Sequence, residues 1–297
     1  MIITKTPYRI SFFGGGTDHP IWFKENGGKV LATTFDKYCY ISIRNLPQFF
    51  DHKFRIVYSS IESVKTVNQI KHPSVRETLN YFNINKGLEI HHDGDLPARS
   101  GLGSSSSFTV GLINALNALE GVQNSKLDLA NSAIHVEQNL INECVGSQDQ
   151  ISAAYGGMNE IIFNRDESFL VNPAILSQDR KNELNDHLML FYSGISRFSS
   201  DISKSQVSNI KNCTPQMQDL FDMVDEGSSI LKNPNISLDE FGKLLHESWQ
   251  VKRSLSDKVS NSLINEIYEV ARSSGALGGK VLGAGGGGVI ILFVKPK

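Results

Sequence analysis

Asp95-Leu-Pro-Ala-Arg-Ser-Gly-Leu-Gly-Ser-Ser-Ser-Ser-Phe108 is a glycine and serine loop set between an extended segment and a helix. Upstream, Leu88 and Ile90 alternate with Glu89 and His91, the pattern of a half-buried strand running into Asp95. Downstream, Phe108, Leu112, Ile113, Leu116 and Leu119 recur at helical spacing, and Gly121 falls where a left-handed C-terminal cap belongs. The loop therefore opens a helix. Unbonded backbone N–H groups and the positive end of the helix dipole point into it, and Gly101 and Gly103 let backbone approach closely. The hydroxyls of Ser104, Ser105, Ser106 and Ser107 add donors, which makes an anion site suited to phosphate; a serine-rich cap without a ligand is the alternative. No lysine follows Gly103, so the loop is not a Gly-x-x-x-x-Gly-Lys-Ser/Thr P-loop. The third glycine of a Rossmann Gly-x-Gly-x-x-Gly turn is also absent.

Working outward, a chain of 297 residues exceeds the size at which single cores usually stop growing, so two lobes are expected, over 1–175 and 176–297. A formal net charge of −2 with scattered charges predicts neither a nucleic-acid footprint nor a membrane-binding patch. No apolar stretch approaches the roughly 20 residues of a membrane span, and Met1-Ile-Ile-Thr-Lys-Thr-Pro7 lacks a signal-peptide profile, so a cytoplasmic protein is expected. Cys39, Cys144 and Cys213 are far apart with no Cys-x-x-Cys pair and read as buried reduced thiols.

The chain opens with a strand pattern over Ile2 to Phe13, stopped by Gly14-Gly15-Gly16, with Thr17 and Asp18 at the strand tip. Asp18 is there either as a positioned acid or as a turn residue. Strands are expected at Lys29 to Thr34, Tyr38 to Arg44 and Phe54 to Tyr58, then a loosely helical stretch from Val64 to Phe82. Ser125 and Asp128 cap a helix whose apolar stripe is Leu127, Ala130, Ile134 and Ile141, and Glu137 lies on that stripe. A carboxylate on a buried face needs a cation or a metal beside it, either a Lys or Arg partner or a bound ion. Asp149, in a short helix ending at Gly156-Gly157, either complements that helix's dipole or serves as an acid or base.

A hairpin from Met158 to Val171 and a strand from Leu188 to Tyr192 follow, with the lobe boundary between Glu167 and Asp186. Three helices come next: one starting at Thr214-Pro215, one capped by Ser237 with Glu240, and one over about Asn261 to Ser274. The third carries Leu263, Ile264, Ile267 and Val270 as its core stripe. Six glycines between Gly279 and Gly288 then precede a buried strand, Val289 to Val294; their entropic cost argues for backbone packed against a ligand or another loop.

Taken together, the Arg9 strand ending in Gly14-Gly-Gly-Thr-Asp18, the central Gly101-Leu-Gly-Ser-Ser105 loop and the Gly283-Ala-Gly-Gly-Gly-Gly288 loop resemble the GHMP kinases. Thr6-Pro-Tyr-Arg-Ile10, Gly146-Ser-Gln-Asp-Gln150 and Gly278-Gly-Lys280 bring the pattern near the bacterial D-glycero-D-manno-heptose 7-phosphate kinases. The chain departs from these relatives at Ser106 and Ser107, where small residues such as Ala are common, and stops at Lys297 where relatives usually continue with a helix and a strand.

The resemblance implies an α+β, two-lobed GHMP kinase fold, with a ribosomal-protein-S5-like N-terminal lobe and a ferredoxin-like C-terminal lobe. ATP phosphates would lie on Ser100, Gly101, Leu102, Gly103, Ser104, Ser105, Ser106 and Ser107, with Mg²⁺ held by Ser105 and Glu137. Asp149 would accept or orient the proton of a sugar hydroxyl, and Arg9 would steady the moving phosphoryl group. Gly15, Gly16, Thr17 and Asp18 would contact the sugar, as would Gly285 and Gly286 from the C-terminal glycine loop. Lys280 and Arg197 would bind phosphate on the substrate. The implied activity is ATP-dependent phosphorylation of the anomeric hydroxyl of a heptose 7-phosphate. A kinase of a free sugar such as fucose, and a catalytically silent sugar or nucleotide sensor, are the alternatives.

Overall fold

The computed structural model describes residues 1–195 and 199–296. β1 (Ile2–Phe13) and β2 (Gly28–Asn45) form a long antiparallel pair that organises the N-terminal lobe. The two strands expected within 29–44 are one, because register shifts in β1 between Pro7 and Arg9 and between Ser11 and Phe13 absorb the bend and let β2 run on. The first half of β2 pairs with β6 (Met158–Phe163) and the second half with β5 (Leu88–Gly94). With β3 (Phe54–Val57), β4 (Ile61–Val64) and β7 (Phe169–Pro173) this gives a seven-stranded sheet in the order β4-β3-β5-β2-β6-β7, β1 lying on β2. β1 pairs only with β2, which tolerates Pro7 because its missing N–H leaves no central ladder position empty.

Four helices join this sheet after α1 (Pro20–Asn26): α2 (Pro73–Tyr81), α3 (Ser104–Leu119), α4 (Lys126–Ile134) and α5 (Gln148–Tyr155). The stretch from 64 to 82 is thus helical in two pieces, a short 3-10 turn at Val67–Gln69 and then α2. α4 runs directly into a wider π turn, His135–Leu140, that carries Glu137. Leu127 is exposed, and the buried face is instead Leu129, Ala130, Ala133 and Val136. The two alanines present the small surface that allows close approach to α3 and α5.

The C-terminal elements are α6 (Gln178–His187), β8 (Leu188–Tyr192), α7 (Ser199–Asn209), α8 (Thr214–Lys232), α9 (Leu238–Ser254), α10 (Ser262–Ser273), β9 (Ala276–Val281) and β10 (Val289–Val294). Their sheet, β8-β10-β9, is antiparallel with β10 central. It has three strands among the described residues, one fewer than a complete ferredoxin-like unit. In α9 the Ser237 hydroxyl caps Asp239, while Glu240 turns to Lys243. In α10, Ile264 and Tyr268 are buried whereas Leu263 and Val270 are exposed; the Tyr268 hydroxyl reaches His246 Nδ1 at 2.7 Å, which lets a polar aromatic take the core place.

The lobes share one core. Phe12 and Phe13 at the end of β1 pack edge-on against Phe241 of α9, at 5.3 and 5.0 Å between ring centroids, and Phe241 meets Phe293 of β10. No described helix is long and apolar enough to cross a membrane, and the three cysteines are free thiols.

Candidate active site

α3 begins without a side-chain cap. Its N-cap is Gly103 in the left-handed region, φ 74°, and the helical ladder starts only at Ser107 N–H to Gly103 O, 2.9 Å. The first-turn N–H groups therefore open onto a cleft between the lobes, lined here by Gly101, Gly103, Ser104, Ser105 and Ser106. The floor is completed from the other lobe. A Cβ on Gly101 would stand 2.5 Å from Leu282 O, one on Gly283 would stand 2.8 Å from Gly101 Cα, and Val289 N–H donates to Ser100 O at 2.8 Å. The glycines after β9 thus put backbone directly against the serine loop.

Arg9, projecting from β1, is 4% exposed and forks onto Asp149: Nε donates to Oδ1 and Nη2 to Oδ2, both at 2.7 Å. Its Nη1 donates to Gly101 O at 2.6 Å, so one guanidinium ties the serine loop to the acid. Asp149 stands in the first turn of α5, and its Oδ2 lies 3.5 Å from where a Gly103 Cβ would be. Asp18, 1% exposed, accepts from Gly16 N–H (2.9 Å) and from Gln148 N–H at the start of α5 (3.2 Å), while its carbonyl accepts from Ser147 N–H. It lines the cleft and also holds the helix that carries Asp149.

Glu137 is 1% exposed, and no lysine or arginine pairs with it among the described residues. Oε2 accepts from Ser106 Oγ (2.8 Å) and Gln150 Nε2 (2.5 Å), whereas Oε1 is buried with no partner among the described residues. Burial pushes its carboxyl up to about 7, with Thr109, Ser106 and Gln150 opposing the shift and the Glu143 charge adding to it. An orphaned carboxylate oxygen beside hydroxyls at the anion loop is a donor set suited to a hard divalent cation. The hydroxyl next to Glu137 is that of Ser106, not Ser105, whose side is exposed at the cleft mouth. No cluster of three or more His, Cys, Asp or Glu that could hold a metal exists among the described residues.

Several expected contacts point elsewhere. The Thr17 hydroxyl, 0% exposed, lies between Gly14 O and the backbone of Lys29 and ties the glycine turn together. Ser107 donates to Pro7 O and Leu102 is core, its carbonyl accepting from Arg9 N–H. Ser100 is buried and meets the C-terminal loop through its carbonyl. Gly286 packs on Ile202 and Val259, while Gly15, Gly16 and Gly285 line the cleft. Arg197 lies outside the described residues.

Lys280 is in the cleft wall, 3% exposed, with Nζ donating to Phe12 O at 2.8 Å. Beside it stands Lys252 of α9, 7% exposed, a residue that sequence reasoning passes over. It continues the buried row Leu245, Ser248 and Trp249, so the signal is the one that marks Glu137, an ionisable residue on an apolar stripe. Ser11 Oγ and Gln148 Oε1, both buried without partners among the described residues, also face this cleft.

An uncapped phosphate-loop helix, a positioned acid and a cleft closed by a second lobe define a small-molecule phosphotransferase. Residues 66–157 match the GHMP kinases N terminal domain and residues 231–297 the GHMP kinases C terminal domain. The chain belongs to the GHMP kinases. It is 28% identical to the D-glycero-alpha-D-manno-heptose 7-phosphate kinase of Campylobacter jejuni, across 99% of this chain and 90% of that protein. It is 24% identical to the L-fucokinase/L-fucose-1-P guanylyltransferase of Bacteroides fragilis, across 98% of this chain but only 34% of that longer protein. Among solved structures, a D-glycero-D-manno-heptose 1-phosphate kinase from Bacteroides thetaiotaomicron superposes with a TM-score of 0.80 at 22% identity, covering 100% of this chain and 89% of its own. Lactococcus lactis galactokinase complexed with galactose does so at 0.74 and 18%, covering 98% and 85%.

Proposed function

We infer that the protein is an ATP-dependent sugar kinase that phosphorylates the anomeric hydroxyl of a heptose 7-phosphate. The observation that carries this reading is the Asp149 carboxylate, gripped by Arg9 next to Gly103 at the mouth of an uncapped helix. An acid there faces both a phosphate on the α3 N–H groups and a hydroxyl in the pocket beyond. The sugar oxygen forms a bond to the γ-phosphorus, the bond from that phosphorus to the β-phosphate bridging oxygen breaks, and the hydroxyl proton passes to Asp149. Asp18, Gly15 and Gly16 orient the sugar, and the Arg9 fork keeps both Asp149 oxygens from rotating away.

Glu137 and Ser106 would hold Mg²⁺, which when bound offsets charge on the nucleotide phosphates. The heptose phosphate reading is supported by similarity to the Campylobacter jejuni kinase along nearly the whole of both chains. The fucokinase and galactokinase similarities favour a free sugar as the second reading. Coupled ATP turnover over a panel of hexoses, heptoses and their phosphates tests both. Turnover restricted to heptose 7-phosphate is expected; preference for an unphosphorylated sugar moves the assignment to the second reading, and nucleotide binding without turnover leaves a sensor.

A further inference from the structure

The guanidinium of Arg9 is heavily committed, with a two-bond fork on Asp149 and a third bond to Gly101 O, so its charge is largely balanced where it stands. Two lysines in the cleft have no ion-pair partner among the described residues. Lys252 Nζ donates only to carbonyls, Val281 O at 3.4 Å and Gly283 O, and Lys280 Nζ only to Phe12 O. Neither has a carboxylate partner among the described residues, although both are more than nine-tenths buried. An ammonium has three donors, so each retains at least one that the protein leaves unused. Burial, with Lys252 and Arg9 beside it, holds the Lys280 ammonium well below the usual lysine range, and a buried ammonium with no ion-pair partner is costly to keep unless an anion arrives beside it.

Connectivity places that anion. Lys252 holds Gly283 O, Gly283 lies on Gly101, Gly101 O is held by Arg9, and Arg9 grips Asp149. A phosphoryl group touching both the serine loop and Asp149 therefore meets Lys252 from the C-terminal lobe. The charged groups around Lys252 are Arg9 of β1, Asp18 of the glycine turn and Asp149 of α5, with Lys280 of β9 coupled to Lys252 in turn. Burial brings the Lys252 ammonium down to about 8, Arg9 adding to the shift and the two acids opposing it, so it still carries charge at neutral pH.

Building on the kinase reading above, we propose that Lys252, backed by Lys280, is the catalytic cation that stabilises the transferring phosphoryl group, and that Arg9 is a positioning residue for Asp149. The arrangement is a preorganised electrostatic site made from both lobes.

The test compares wild type, Lys252→Met and Lys252→Gln for steady-state kinetics on ATP and the accepted sugar. ADP binding, thermal midpoint, and binding of ADP with aluminium tetrafluoride, Mg²⁺ and sugar as a mimic of the moving phosphoryl group are measured in parallel. Lys252→Met is expected to lower kcat by roughly 10²-fold and to lose most of the added affinity for the fluoride complex, with ADP affinity unchanged. Lys252→Gln keeps a donor for Gly283 O without the charge, so it should fold even where the methionine variant does not and show the same kcat loss. Wild-type kcat and fluoride affinity in a folded Lys252 variant overturn the proposal and leave the kinase reading standing. Equal losses of ADP affinity and thermal midpoint without a selective kcat effect reduce Lys252 to a clip on the glycine loop. No turnover by wild type on any sugar removes both readings together.

Discussion

At the scale of single residues, the Glu137 carboxyl is buried with no lysine or arginine paired to it among the described residues. Its carboxyl titrates near 7 in the folded protein instead of the ordinary 4.5, so between these pH values the native state keeps a proton that the unfolded chain has released. Stability must then fall as pH rises through that window and level off above it, by about 3 kcal/mol at roughly 1.4 kcal/mol per unit. Glu137→Gln is expected to be more stable than wild type at pH 8 and to lose that advantage by pH 5, as measured by denaturant midpoints. It should also lose the Mg²⁺-dependent part of nucleotide affinity while keeping the Mg²⁺-free part. Equal nucleotide affinities with and without metal in the variant and wild type would show that Glu137 holds no cation. Asp149→Asn can accept at only one of the two Arg9 bonds; kcat should drop by roughly 10²-fold or more with ATP affinity nearly intact. Unchanged kcat would make Asp149 a structural partner of Arg9.

Among elements, the contact between the serine loop and the glycine loop is the most demanding. Gly101 has φ 81° and no room for a Cβ beneath Leu282 O, so Gly101→Ala combines backbone strain with a clash. A loss of about 1–3 kcal/mol is expected, with nucleotide affinity falling further than the fold alone requires; titration of the folded variant with ADP reads the difference. This seam was legible in the sequence, because glycine clusters next to strand and helix signals have few other uses. So were the long first strand, the helix opened by the serine loop, and Glu137 on its apolar stripe, since each depends on neighbours a few residues away. α6 was not legible: Leu184 is its one buried apolar residue, Arg180 being buried through bonds to carbonyls at the end of α8 and in the loop that follows it, so it leaves no periodic pattern. The choice of Ser106 over Ser105 beside Glu137 depends on the π turn, whose altered register no spacing rule supplies. Lys252 follows the same rule as Glu137, but its meaning appears only when α9 is laid against Arg9 and Gly283, from distant parts of the chain.

For the molecule as a whole, the aromatic joint of Phe12, Phe13, Phe241 and Phe293 places side chains of both lobes in one core, which predicts cooperative unfolding. Phe241→Ala should cost about 3–5 kcal/mol, and calorimetry should still show one transition, since the lost ring belongs to both halves; two separated transitions would mean that the lobes fold independently. The seam between Gly101 and Gly283 has a temporal counterpart. The serine loop leaves the ribosome long before the backbone that completes its floor, with on the order of 10–40 s of elongation between them. Throughout that interval the nascent chain lacks the backbone from Leu282 to Val289 that closes on Ser100 and Gly101, so a nucleotide that needs this closed floor could assist folding only once the last strands have been made.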